Sequence, residues 1–205
     1  HPLADPIMAT LSGLGRWQVW GPSAAVVLSF LLWRKRYLAA AHWVASIAFG
    51  LTLVILLGAV IEPPRPPEMS MVAGFGFPSM DVSMSAVVYG FFAVLLAREI
   101  RGRRAVWPYV AATLLTTVIA LTQLYFGAHW PSDILAGLTL GMTWVAVVGI
   151  AYRRRATRAF RAKHLTLLFS IALALSFGYF LRRGVETTLA RFEPPLVVTS
   201  TSRQS

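Results

Sequence analysis

Thr122 to Gly137 reads TQLYFGAHWPSDILAG, a short polar stretch between two long apolar runs. Gly127 allows a tight turn, Pro131 suits the first turn of a helix, and Ser132 is placed to cap it. The stretch therefore predicts one apolar helix ending, a turn, and a second apolar helix beginning. His129 lies in the turn with Asp133 four residues on, within reach of a carboxylate at a helix start.

Working outward, the 205-residue chain is 57% hydrophobic and only 13% charged, with a mean hydropathy of +0.64. That is too apolar for a water-facing globule and predicts a membrane protein. Six apolar runs of about spanning length fall at Gln18–Trp33, Tyr37–Ile61, Ser79–Ala97, Val106–Phe126, Ser132–Tyr152 and His164–Leu181. No strand-like alternation competes with them, so the expected class is all-α, a polytopic six-helix membrane bundle.

The net charge of +11 would suggest a nucleic-acid partner in a soluble protein, but here the cations sit between apolar runs, and no nucleic-acid partner is expected. One cluster is Arg34, Lys35 and Arg36; a second is Arg98, Arg101, Arg103 and Arg104; a third is Arg153, Arg154, Arg155, Arg158, Arg161 and Lys163. They hold 13 of the 19 basic residues and alternate with loops nearly free of them, the positive-inside pattern. The loops at Glu62–Pro78 and Gly127–Pro131, with both termini, are then expected on the extracytoplasmic side. Arg182 and Arg183 run mildly against this for the last helix.

No cysteine is present, so sulfur chemistry is excluded. The chain starts at His1 and reads as a fragment or processed chain whose upstream part is missing. Residues 1–17 carry apolar side chains at helical spacing and predict an interfacial helix or linker; residues 18–181 form the membrane domain; residues 182–205 form an extracytoplasmic tail.

Two extracytoplasmic stretches could carry chemistry: residues 61–81, IEPPRPPEMSMVAGFGFPSMD, and residues 122–133. A histidine held by a carboxylate has one ring nitrogen made nucleophilic or basic, since the partner fixes the tautomer. The alternative for His129 is an interfacial ring beside Trp130 that anchors a helix end. Ser79 starts a helix whose first amides form an anion site, or it acts only as an N-cap. Asp81, an acid in the opening turn of an apolar helix, is a functional suspect because a carboxylate in hydrocarbon is costly.

Together, RPP at Arg65–Pro67, FPSMDVSMSA at Phe77–Ala86 and TQLYFGAHWPSDILAG at Thr122–Gly137 resemble the membrane branch of the type 2 phosphatidic acid phosphatase family, over roughly residues 1–155. That family carries Lys, six residues, Arg-Pro; then Pro-Ser-Gly-His; then Ser-Arg, five residues, His, three residues, Asp. The resemblance implies a lipid phosphate or diphosphate hydrolase at the extracytoplasmic face, without a cofactor or metal. It implies that His129 is the nucleophile, Asp133 its orienting partner, and Arg65 and Ser79 phosphate ligands.

Other positions depart. Gly58 stands where the family has lysine, Gln123 where it has the second arginine, Thr122 where it has serine, Met80 where it has glycine, and Asp81 where it has the proton-donating histidine. Asp81 is then an ion-pair partner of Arg65 or His129, a surviving general acid, a replacement without a role, or part of a metal site with His129 and Asp133. The resulting expectation is a membrane domain of lipid-phosphatase type that is impaired or inactive, with Arg65, Ser79, Gln123 and Gly58 as a vestigial phosphate site. It would serve as a structural or partner-binding module, in contact with membrane lipids and with other membrane subunits or fused modules, in a bacterial inner membrane. The alternative is an active phosphatase using His129.

Overall fold

The computed structural model describes residues 4–61, 76–155 and 162–183. These are all-helical, with no strand among the described residues. A short helix α1 (Ala4–Ser12) leads through a 3-10 turn at Gly13–Gly15 into α2 (Trp17–Trp33) and α3 (Tyr37–Ile61). There follow α4 (Met80–Glu99), a 3-10 turn at Gly102–Val106, α5 (Trp107–Tyr125), α6 (Pro131–Arg155) and α7 (Ala162–Arg183). Arg65, Glu62 and Glu68 lie outside the described residues, as does the tail beyond Arg183.

All six apolar runs are helical, and among the described residues five helices are long and apolar enough to cross a membrane. The first run departs: α2 has 17 residues and carries Pro22 inside it, which puts it at the lower edge of spanning length. The last helix also runs further than expected, through Arg182 to Arg183.

Helix stops follow local chemistry. After α2, Lys35 takes the left-handed conformation at φ 54. Arg36 N–H then reaches the Leu31 carbonyl and Lys35 N–H the Leu32 carbonyl, the doubled closure that satisfies orphan carbonyls at a helix end. After α5 the same closure recurs with Gly127 at φ 58: Ala128 N–H bonds the Gln123 carbonyl and Gly127 N–H the Leu124 carbonyl.

Helix α4 is the centre of the bundle, packed against α6, α5 and α3, while α2 pairs with α7 and α1 lies on α5. Its apolar window is 83% buried, against 22% for α3. Both are apolar all round, which fits burial in protein or exposure to lipid. The choice is made by small residues. A Cβ at Gly137 would stand 2.8 Å from Ser83 Oγ, and one at Gly141 2.5 Å from the Ala86 Cβ. The GxxxG spacing on α6 therefore serves close packing on α4 within the chain. Trp43, Phe91, Phe92, Tyr152 and Phe169 fill the core, with Trp43 Nε1 donating to the Ala24 carbonyl at 3.0 Å.

Candidate functional site

The α4 and α6 N-termini and the α5 C-terminus meet at one end of the bundle, opposite the arginines that close α4 and α6. Ser79, Asp81, Gln123, His129 and Asp133 all lie there, and Gly58 is buried in the last turn of α3.

The helix closure at Gly127 delivers His129 two residues later, in the short link before α6. His129 Nδ1 lies 2.8 Å from the Gly76 carbonyl. A carbonyl only accepts, so Nδ1 carries a proton and donates it. Asp133 is close, its Oδ2 at 3.8 Å from Nδ1, but the hydrogen bond of the ring goes to the backbone. The Gly76 carbonyl was not foreseeable, since a main-chain acceptor leaves no mark in the residue letters.

Asp133 has a second task. Its Oδ2 accepts from Trp130 N–H at 2.9 Å, and Ser132 Oγ donates to Oδ1 at 3.4 Å. Pro131 takes the first helical position, which leaves Trp130 as the N-cap residue and Asp133 as the third-position acid reaching back to it. Ser132 therefore does not cap α6, as the sequence predicted; the proline sets the register one residue earlier. The Asp133 carbonyl also accepts Ser79 N–H at 3.1 Å, tying the two helix starts together.

Ser79 occupies the N-cap position of α4, yet its hydroxyl makes no cap hydrogen bond. It is fully buried, and Oγ has no partner among the described residues. An unsatisfied buried hydroxyl costs about 1–3 kcal/mol. Ser79 thus caps α4 by position but not through its hydroxyl, which is left for something else.

Gln123 Nε2 donates to Asp81 Oδ2 at 3.4 Å, so the two departures from the motif pattern contact each other. Beside them, a Cβ at Gly15 would come 3.3 Å from the Asp81 Cβ, which places the N-terminal 3-10 turn against this acid. Tyr89 Oη donates to the Leu14 carbonyl at 2.6 Å and Tyr125 Oη to Asp5 Oδ1 at 2.6 Å, holding that segment down. This N-terminal wall was missed from sequence; the Gly13–Leu14–Gly15 pattern was its only signal. Arg65, proposed as an Asp81 partner, is outside the described residues. Among the described residues no three His, Cys, Asp or Glu side chains are grouped to hold a metal ion, so Asp81, His129 and Asp133 do not form that set. Thr122 is buried with its hydroxyl turned to the Ile119 carbonyl at 2.7 Å, and Met80 is exposed.

The sequence pattern described as "PAP2 superfamily" matches residues 59–158, which hold the site helices. An undecaprenyl-diphosphatase of Sulfolobus acidocaldarius is 25% identical over 162 residues, 70% of this chain and 68% of that one. Phosphatidylglycerophosphatase B of Bacillus subtilis is 28% identical over 86 residues, covering 40% and 42%. A lipid A 4'-phosphatase of Bacteroides thetaiotaomicron is 27% identical over 158 residues, covering 68% and 66%. No solved structure matches the chain.

Proposed function

From the match of residues 59–158 to the PAP2 superfamily, we propose that the chain is a member of it, an integral membrane lipid-phosphatase-like domain impaired in hydrolysis. It would meet a lipid phosphate or diphosphate at the His129 end, on the extracytoplasmic side that the arginine clusters imply. Its working role is then as a structural or partner-binding module. The relatives, named for removing phosphate from undecaprenyl diphosphate, phosphatidylglycerophosphate and lipid A, suggest the substrate class.

The observation that carries the reading is the Gln123–Asp81 hydrogen bond. By the resemblance, these positions belong to a phosphate-binding arginine and the proton donor. Here they turn to each other, with Gln123 Nε2 donating to Asp81 Oδ2. Replacing lysine by Gly58 and arginine by Gln123 removes two cations. Each unit charge at 4 Å is worth about 4 kcal/mol at an effective dielectric of 20, before desolvation. Phosphoryl transfer depends on such placed charge. Attack of His129 Nε2 on phosphorus to form a phosphohistidine is therefore poorly served, with fewer placed cations and a carboxyl where the resemblance has a histidine to give the leaving oxygen its proton.

A second reading, an active hydrolase using His129, draws on the anchoring of the ring, which engages Nδ1 with the Gly76 carbonyl and so assigns attack on phosphorus to Nε2. One assay separates the two. Phosphate release from undecaprenyl diphosphate and phosphatidic acid is measured for the natural chain, for His129→Ala, and for Gly58→Lys with Asp81→His and Gln123→Arg. The natural chain is expected to match His129→Ala at background, and the triple variant to exceed both by a hundredfold or more, as an effect of a few kcal/mol on the barrier requires. Turnover by the natural chain that His129→Ala abolishes would overturn the impaired reading and establish the second.

A further inference from the structure

Away from the His129 end, α4, α5 and α6 enclose a groove of about 470 Å³. Its floor is Ala86, Gly90 and Val94 of α4; its walls are the first turns of α5 and the middle and last turns of α6. Helices α5 and α6 touch each other little, so the slot opens sideways between them. It extends from Leu138 to Arg153, about 22 Å along α6, more than half of a ~30 Å hydrocarbon core.

The groove does not lead to the candidate site. Val82, Ala120 and Ile134, with Leu138 packed on them, form a separate buried cluster. On each helix this cluster falls between the two regions: Val82 between Asp81 and Ala86, Ala120 between Thr117 and Gln123, Ile134 between Asp133 and Leu138. An apolar plug thus divides the bundle. The open, charged mouth of the groove is at the other end, where Tyr109 and Arg153 line it and Arg103, Arg104, Arg154 and Arg155 stand exposed nearby on the adjoining helix ends.

We propose that this groove is a binding site for the acyl chain of an anionic phospholipid of the arginine-rich leaflet, whose headgroup is held by Arg153. The volume favours a hydrocarbon chain over a second helix, which at that length would need on the order of 1,700 Å³. Hydrocarbon is the medium around spanning helices, so the slot is filled from the bilayer. The mouth selects among lipids: a basic residue beside an anionic headgroup favours binding about fivefold, whereas phosphatidylcholine brings its own cation and gains little. This site is independent of whether His129 performs chemistry.

The test is native mass spectrometry of the full chain in detergent, titrated separately with phosphatidylglycerol and phosphatidylcholine of the same chains. Retention of phosphatidylglycerol is expected to exceed that of phosphatidylcholine about fivefold, and Arg153→Gln to bring the two close to equal. Ala146→Phe, at an exposed position on the α6 wall, and Thr113→Phe, facing it from α5 and also exposed, should reduce retention of both lipids while thermal unfolding stays unchanged. Two variants on different helices guard against misfolding of either. Equal retention of both lipids by the natural chain, or phosphatidylglycerol retention unaffected in both phenylalanine variants, would overturn the site. So would a dimer that Ala146→Phe dissociates, since the occupant would then be a second copy.

Discussion

The two helix starts that meet at the candidate site are built differently. At α6, Asp133 closes back on Trp130 N–H, Pro131 needs no partner for its nitrogen, and the local polar groups are used within the helix end. At α4, Ser79 stands in the capping position and its hydroxyl is buried without a partner among the described residues. A start that satisfies itself serves the fold. One that leaves a buried donor unused carries a cost that folding alone does not explain, and such sites in native proteins are associated with ligands and catalysis.

The strongest way to break this arrangement is to push the two helices apart. Gly141→Ala would set a Cβ 2.5 Å from that of Ala86 and 2.9 Å from the Ser83 carbonyl. Neither contact is a flexible side-chain end, so about 1–3 kcal/mol of destabilisation is expected, read as a lowered unfolding midpoint in detergent. Because Ser79 N–H and the Asp133 carbonyl are joined across the same contact, any turnover by the triple variant should fall as well. An unchanged midpoint would mean that α4 and α6 do not depend on this close approach.

A smaller change separates the two tasks of Asp133. Asp133→Ala removes the acceptor of Trp130 N–H and should cost about 1 kcal/mol of stability, the usual loss for a helix N-terminus deprived of its side-chain partner. The His129 ring should keep its orientation, since Nδ1 is held by the Gly76 carbonyl. The measurement is the imidazole nitrogen chemical shift of His129 in the natural chain and the variant. A change of tautomer would mean that the carboxylate 3.8 Å away, rather than the carbonyl, sets the ring.

These particulars also mark what could be read before the structure. Tyr37–Ile61 was legible to the residue because Arg36 and Glu62 bound a run with no Asp, Glu, Lys or Arg in it. The turn carrying His129 was legible because Gly127 and Pro131 each restrict the backbone in a known way. Ser132 was misread as the cap because sequence alone does not choose between neighbouring registers; the proline and the acid two residues after it do so together. The contact between Gln123 and Asp81 joins residues 42 positions apart on different helices. It depends on how α5 packs on α4, which composition and periodicity leave open.

The sharpest test of the comparison is also the smallest in energy, because it turns on a sign. If Ser79 served the fold as Asp133 does, Ser79→Ala would destabilise. Its hydroxyl has no partner to lose among the described residues, so replacing it by a methyl removes an unsatisfied donor from a fully buried position. The expected result is a gain of up to about 1 kcal/mol, since apolar replacement of an unsatisfied group is neutral or favourable. The same substitution should weaken binding of a lipid phosphate by the triple variant, where the cations are restored and the hydroxyl has an anion to meet. Higher stability together with weaker phosphate binding would place Ser79 among groups kept for a ligand at the expense of the fold. Lower stability would show that the α4 start is satisfied after all, and the contrast between the two helix starts would fall with it.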